Sequence, residues 1–127
     1  MNPPIIRAFV LCTEITDTPG SSGQKDVRGA GLRIIRSAGP YPSKYKFCVY
    51  LEILDRSPNG RIQLALMRAD SGRRLFFWDL QVEFTDSLLS NNLGIMVNNC
   101  TFPAAGIYFL ELWYDGKWQV DQRLEVV

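Results

Sequence analysis

Histidine is missing altogether from this sequence of 127 residues. Its absence removes Ser-His-Asp and Cys-His nucleophile arrangements and the usual general base near neutral pH. It also removes the commonest protein ligand for zinc and other transition metals. Cysteine is scarce: Cys12, Cys48 and Cys100 are widely spaced and form no CxxC pair. An odd count of scattered thiols suits reduced, buried side chains better than a disulfide framework. Long apolar runs are lacking too, since none approaches the ~20 residues of a membrane span. The opening Met1-Asn2-Pro3-Pro4-Ile5-Ile6-Arg7 has no basic leader followed by an apolar stretch. These absences lead to the expectation of a cytoplasmic protein without a membrane segment, in which Asn99-Cys100-Thr101 is no glycosylation site. A phosphate-cradling loop is absent as well, because Gly29-x-Gly31 lacks the third glycine and a following helix and reads as a strand bulge.

A strong charge of either sign is likewise absent. The net charge of +1 favours neither nucleic acid nor an acidic surface. The distribution is uneven: residues 1–74 hold 12 of the 14 basic and 6 of the 13 acidic groups, and residues 75–127 hold the remainder. Arg28, Arg33, Arg36, Lys44 and Lys46, interleaved with Tyr41, Tyr45 and Tyr50, are of the types that track phosphates and stack bases. Without a larger basic excess they read as a solvated face, and no nucleic-acid partner is expected.

Apolar residues are plentiful. At 46% hydrophobic and 12% aromatic, the chain supplies one core, and its length suits one domain over residues 1–127. The dominant pattern is period-two alternation between turn residues. Strands are expected at Ile5 to Cys12, Val27 to Arg36, Tyr45 to Leu54, Arg61 to Asp70, Leu93 to Thr101, Ile107 to Tyr114 and Lys117 to Val127. Another holds Phe76, Trp78, Leu80, Val82 and Phe84 inward, with Asp79, Gln81 and Glu83 toward water. In Tyr45 to Leu54, Phe47, Val49, Leu51 and Ile53 share one face. Turns are expected at Pro58-Asn59-Gly60, Ser71-Gly72 and Asp115-Gly116. Asp86 to Asn92 is the one helical candidate. About eight short strands argue for an all-β fold, a two-sheet antiparallel sandwich.

The closing segment Phe102-Pro103-Ala104-Ala105-Gly106-Ile107-Tyr108-Phe109-Leu110, with Tyr114-Asp115-Gly116-Lys117 and Leu124-Glu125-Val126-Val127, resembles the last hairpin of immunoglobulin-like domains. The chain also resembles an uncharacterised family of small bacterial proteins in Phe9-Val10-Leu11-Cys12, in Gly29-Ala30-Gly31-Leu32-Arg33-Ile34-Ile35, and in that ending. The resemblance implies a bacterial cytosolic β-sandwich and no assigned chemistry. The acidic residue that usually follows the opening cysteine is replaced here by Thr13, with Glu14 one place later.

Catalytic candidates are few. Asp79 and Glu83 share a strand face but stand about 13 Å apart at ~3.3 Å per residue, too far for either glycosidase geometry. Asp55, Asp70 and Asp115 sit at expected turns, where their turn-forming role suffices, although three loop carboxylates can hold calcium. No catalytic, metal-binding or cofactor-binding residue is assigned. The aromatic surplus is more informative. In Ile107 to Tyr114, Tyr108, Leu110 and Leu112 make one face, while Ile107, Phe109 and Trp113 make the other, interrupted only by Glu111. Leu75 and Phe77 add apolar groups opposite the core face of their own strand. With almost no helix to cover a sheet, such a face is either roofed by loops or exposed at an interface. The expectation is a non-enzymatic protein-interaction module, a homo-oligomer or a subunit of a cytosolic assembly, binding through Phe77, Phe109, Trp113 and Trp118. The alternative is a small-ligand or carbohydrate-binding module that stacks its ligand on Trp113, Trp118, Tyr41 or Tyr45.

Overall fold

The structure, a computed structural model, describes residues 4–17, 25–37, 39–54, 59–83 and 91–127. These form ten strands: β1 (Ile5–Cys12), β2 (Glu14–Asp17), β3 (Lys25–Arg28), β4 (Ile34–Ile35), β5 (Ser43–Leu54), β6 (Asn59–Arg68), β7 (Arg74–Glu83), β8 (Asn91–Phe102), β9 (Gly106–Tyr114) and β10 (Lys117–Val126). Among the described residues no helix is long and apolar enough to cross a membrane. The expected helical turn at Asp86 to Asn92 is not what Asn91 and Asn92 do, since both begin β8. Residues 86–90, like Asp55, Phe84 and the Phe76 side chain, lie outside the described residues.

Two sheets pack face to face. One has the order β1-β5-β8 and the other β4-β10-β9-β6-β7. Alternation is the cause. Phe47, Val49, Leu51 and Ile53 of β5 join Phe9, Leu11, Ile95 and Val97 on one inner face, and Ile62, Leu64, Leu66, Tyr108, Leu110, Leu112, Leu124 and Val126 cover the other. Each such side chain contributes about 1.5–3 kcal/mol when fully removed from water. Trp78 and Leu80 pack against this core and Val82 is buried within it.

Three details depart from the pattern read in the sequence. The expected strand from Val27 to Arg36 is broken in two, because Gly29 and Gly31 take positive φ angles of 65° and 82° and turn the chain between β3 and β4. Together with the separate β2, that raises the count from about eight strands to ten. The sandwich is not wholly antiparallel: β4 pairs with β10 in parallel, through Ile34 opposite Glu125 and Ile35 opposite Val126. Leu75 does not stand opposite the core. A bulge between Leu66 and Met67 shifts the β6–β7 register, and Leu75 packs on the core.

The β2–β3 hairpin pairs with neither sheet and lies on the outer surface of the three-stranded one. Ile15 sits over Gly94, where an added Cβ would meet Ile15 Cγ2 at 3.0 Å. At the seam between the sheets, Gln122 Nε2 donates to the Phe9 carbonyl at 2.9 Å, linking β10 to β1. Tyr108 is fully buried, and its hydroxyl donates to the Ala104 carbonyl at 2.7 Å, fastening the entry into β9. Tyr108→Phe removes that bond while keeping the ring. A loss of about 1–2 kcal/mol is expected in denaturant unfolding, with the fold retained by circular dichroism.

Candidate functional site

The outer surface of the five-stranded sheet is assembled from strands far apart in sequence. Its centre is β9, whose core face is so fully apolar that the opposite residues, Phe109, Glu111 and Trp113, must form the outer face. Asp115 and Gly116 both hold positive φ, 47° and 79°, which gives the tight hairpin its twist and sets Trp118 directly opposite Trp113. On the other side of β9, β6 brings Gln63 beside Trp113, Ala65 beside Glu111 and Met67 beside Phe109. Beyond it, β7 sets Phe77 beside Ala65 and Asp79 beside Gln63. Phe77, Phe109, Trp113 and Trp118 thus lie on one face. Phe77 is 59% exposed and Trp118 51% exposed, while Phe109 and Trp113 are half-buried.

A charged pair is set into the middle of this surface. Glu111 is 6% exposed, and its Oε1 accepts a hydrogen bond from Arg74 Nε at 3.0 Å. The same guanidinium lies 5.3 Å from the centre of the Trp113 ring, a cation–π contact. One arginine thereby neutralises the carboxylate and fixes the indole. The Trp113 Nε1 atom is buried without a hydrogen-bond acceptor. Arg61 grips Asp79 with both Nε and a terminal nitrogen, and that pairing holds the Asp79 carboxyl below its ordinary range and Arg61 above its own. Paired in this way, the carboxylates offer neither a free base nor a nucleophile. What the face offers is flat aromatic area with a polar surround.

A second place of interest lies on the other sheet. Two open clefts of about 340 Å³ and 520 Å³ flank the β2–β3 hairpin. Ile15, Thr16, Cys48 and Met96 line both. Cys12 stands opposite Cys48 across β1 and β5, and its thiol approaches the Cys48 carbonyl at 3.5 Å. Burial, then the neighbouring Cys48, pushes the Cys12 thiol up to about 11, against a smaller opposing contribution from the Tyr50 amide. Cys100 is buried between the sheets and is pushed up to about 12 by that burial alone.

The remaining candidates are dispersed. Tyr45 packs against the core and Tyr41 lies before β5, so neither shares the outer face with Trp113 and Trp118. Arg28 ends β3, Arg33 and Arg36 flank β4, and Lys44 and Lys46 are on β5, so the basic stretch is divided among three elements. Asp70 pairs with Arg68, and Asp115 accepts the Arg61 amide at 2.9 Å. Among the described residues no three histidine, cysteine or carboxylate side chains gather as a metal site. Sequence reasoning missed Arg74 and Met67. The buried Glu111 was the available signal, because a charge there demands a partner.

Arg74→Ala should destabilise the protein by about 1–2 kcal/mol, the cost of leaving a buried carboxylate unpaired while its half-exposed partner is lost. Adding Glu111→Gln in the same chain should recover part of that loss in urea midpoints. A second expectation concerns alkaline pH. Cys12, Cys100, Tyr50 and Tyr108 are all raised, mainly by desolvation. The unfolded chain therefore releases these protons first, and raising pH favours unfolding. Stability should hold up to pH 9.0, the ordinary thiol value, and decline above it. Urea midpoints that stay level to pH 11 would contradict this assignment.

Compared with known proteins, the chain matches no family model, and no curated protein matches it.

Proposed function

We propose that this protein is a non-catalytic interaction module that pairs with a second copy of itself through the outer face of the five-stranded sheet. The observation that carries the reading is the placement of Phe77 and Trp118, each more than half exposed, on either side of a face whose middle holds Phe109, Trp113 and the Arg74–Glu111 pair. A solvated sheet face ordinarily carries polar side chains. Four large aromatics on one face fit a surface that is covered in the working state.

A like copy suits this face better than a charged partner does. Arg61, Arg74 and Arg123 are each engaged by Asp79, Glu111 and Glu125 on their own chain. The face thus holds three matched pairs, with Asp121 opposite Glu111 as a further acidic group. The strand order β10-β9-β6-β7 also has the right symmetry. A two-fold axis running along the strands between β9 and β6 lays β10 of one protomer over β7 of its partner. By register Trp118 then stands over the opposing Asp79, one side-chain step along the strand from the opposing Phe77, and the contact occurs twice, as an isologous interface requires.

An immunoglobulin-like relationship is part of the proposal. Its support is the set β1-β5-β8 facing β10-β9-β6-β7, with a short strand parallel to the last one. Further support is the tyrosine at the start of β9 bonded back to the backbone four residues upstream, in the manner of a tyrosine corner. The three free thiols, all buried, suit a reducing compartment.

Light scattering after size exclusion, across a range of protein concentration, is the direct measurement. A dimer is expected at high and low salt alike, because the interface is apolar. Phe77→Asp and Trp118→Asp each should weaken it by about 2 kcal/mol or more, roughly thirtyfold in Kd. A monomer at every concentration, or a dimer indifferent to both substitutions, would overturn the proposal.

A further inference from the structure

The outer surface of the three-stranded sheet carries a different kind of chemistry from the aromatic face. Register places three sulfur-bearing residues in one row across its three strands. Cys12 of β1 is opposite Cys48 of β5, and Cys48 is in turn opposite Met96 of β8. All three point to the side on which the β2–β3 hairpin lies. Cys12 is fully buried, Cys48 nearly so, and Met96 is 52% exposed at the edge. Cys48 and Met96 form part of the wall of both clefts beside the hairpin.

Two thiols facing each other across adjacent strands suggest a disulfide first, but the structure holds both as free cysteines. The Leu11 carbonyl accepts the amides of Gly31 and Leu32, and the Thr13 amide donates to the Arg28 carbonyl. Residues 11 and 13 therefore turn their backbone groups away from β5, which makes Cys12 and Cys48 a hydrogen-bonded pair. Such pairs stand about 5.5 Å apart at Cα, against about 4.5 Å for the alternating kind. That spacing is within what a disulfide spans, yet Cys12 and Cys48 are both free thiols in the structure. A metal ion asks for less: two thiolate bonds of about 2.3 Å each, the zinc value, keep the sulfurs up to about 4.6 Å apart.

The donor set selects the ion. Zinc wants four ligands in a tetrahedron, and among the described residues no group of three or more histidine, cysteine or carboxylate side chains is present to supply them. Two thiolates with a thioether are soft ligands, the kind that favour Cu(I). Met96 is unbranched, with rotatable bonds enough to swing its sulfur over the row. We propose that Cys12, Cys48 and Met96 form a binding site for a soft monovalent cation, Cu(I), beneath the β2–β3 hairpin. The two cysteines hold the ion between them, and Met96 closes the open side as a weaker third donor. Each thiol releases its proton to solvent as its sulfur binds, and the copper stays Cu(I), so no oxidant or reductant is needed.

Reduced protein, titrated anaerobically against a chromophoric Cu(I) chelator, tests the site. Native mass spectrometry with Ag(I), a redox-inert ion of the same charge and softness, gives the stoichiometry. One ion per chain is expected, with a mass increase equal to the metal less one proton, as a monovalent ion requires. Cys48→Ser should abolish uptake. Met96→Leu, at an exposed position that does not endanger folding, should loosen it on the order of tenfold. Cys100→Ala, which alters a thiol between the sheets, should still take up one ion. Circular dichroism on each variant confirms that the sheets are intact. No uptake by the folded protein, uptake unchanged in Cys48→Ser, or uptake lost only in Cys100→Ala would each overturn the site.

Discussion

Phe47, Val49 and Leu51 from one sheet and Tyr108, Leu110 and Leu112 from the other point into a single apolar layer, and every other feature is arranged around that layer. Because side chains alternate along a strand, filling the layer also decides which residues face out. Cys48 is between Phe47 and Val49, and Glu111 is between Leu110 and Leu112. Both are forced to the outside of their sheets by the neighbours that fill the core. The sulfur row and the Arg74–Glu111 pair are thus consequences of the same alternation, one on each outer surface.

Much of this was legible in the sequence, and the limits are physical. The inner faces of β5 and β9 follow from local alternation, and the opposition of Trp113 and Trp118 follows from a two-residue turn. What was not legible depends on strand order. Phe77 joins the aromatic face only because β6 lies between β7 and β9, an arrangement that no local pattern encodes. Arg74 reaches Glu111 across 37 positions for the same reason. The sulfur row needs the register of three strands at once, so Cys12, Cys48 and Met96 read in sequence as unrelated residues. The break at Gly29 and Gly31 lay closer to hand, since glycines in a strand signal irregularity, but a bulge and a full turn share that signal.

The two outer surfaces differ in how they are managed. The three-stranded sheet is roofed over part of its area by the β2–β3 hairpin, fitted through Ile15 onto the bare backbone of Gly94. The five-stranded sheet has, among the described residues, no comparable roof over Phe77 and Trp118. In its middle, Glu111 is matched within the chain by Arg74.

The parallel pairing of β4 with β10 also constrains how the chain comes to fold. Ile34 and Ile35 find their partners at Glu125 and Val126, some ninety residues further on. Closing so long a loop is entropically slow compared with zipping the β9–β10 hairpin, whose two strands are joined by a tight turn. During synthesis, the segment carrying Ile34 and Ile35 must therefore wait, without this partner, until nearly all of the described chain has left the ribosome.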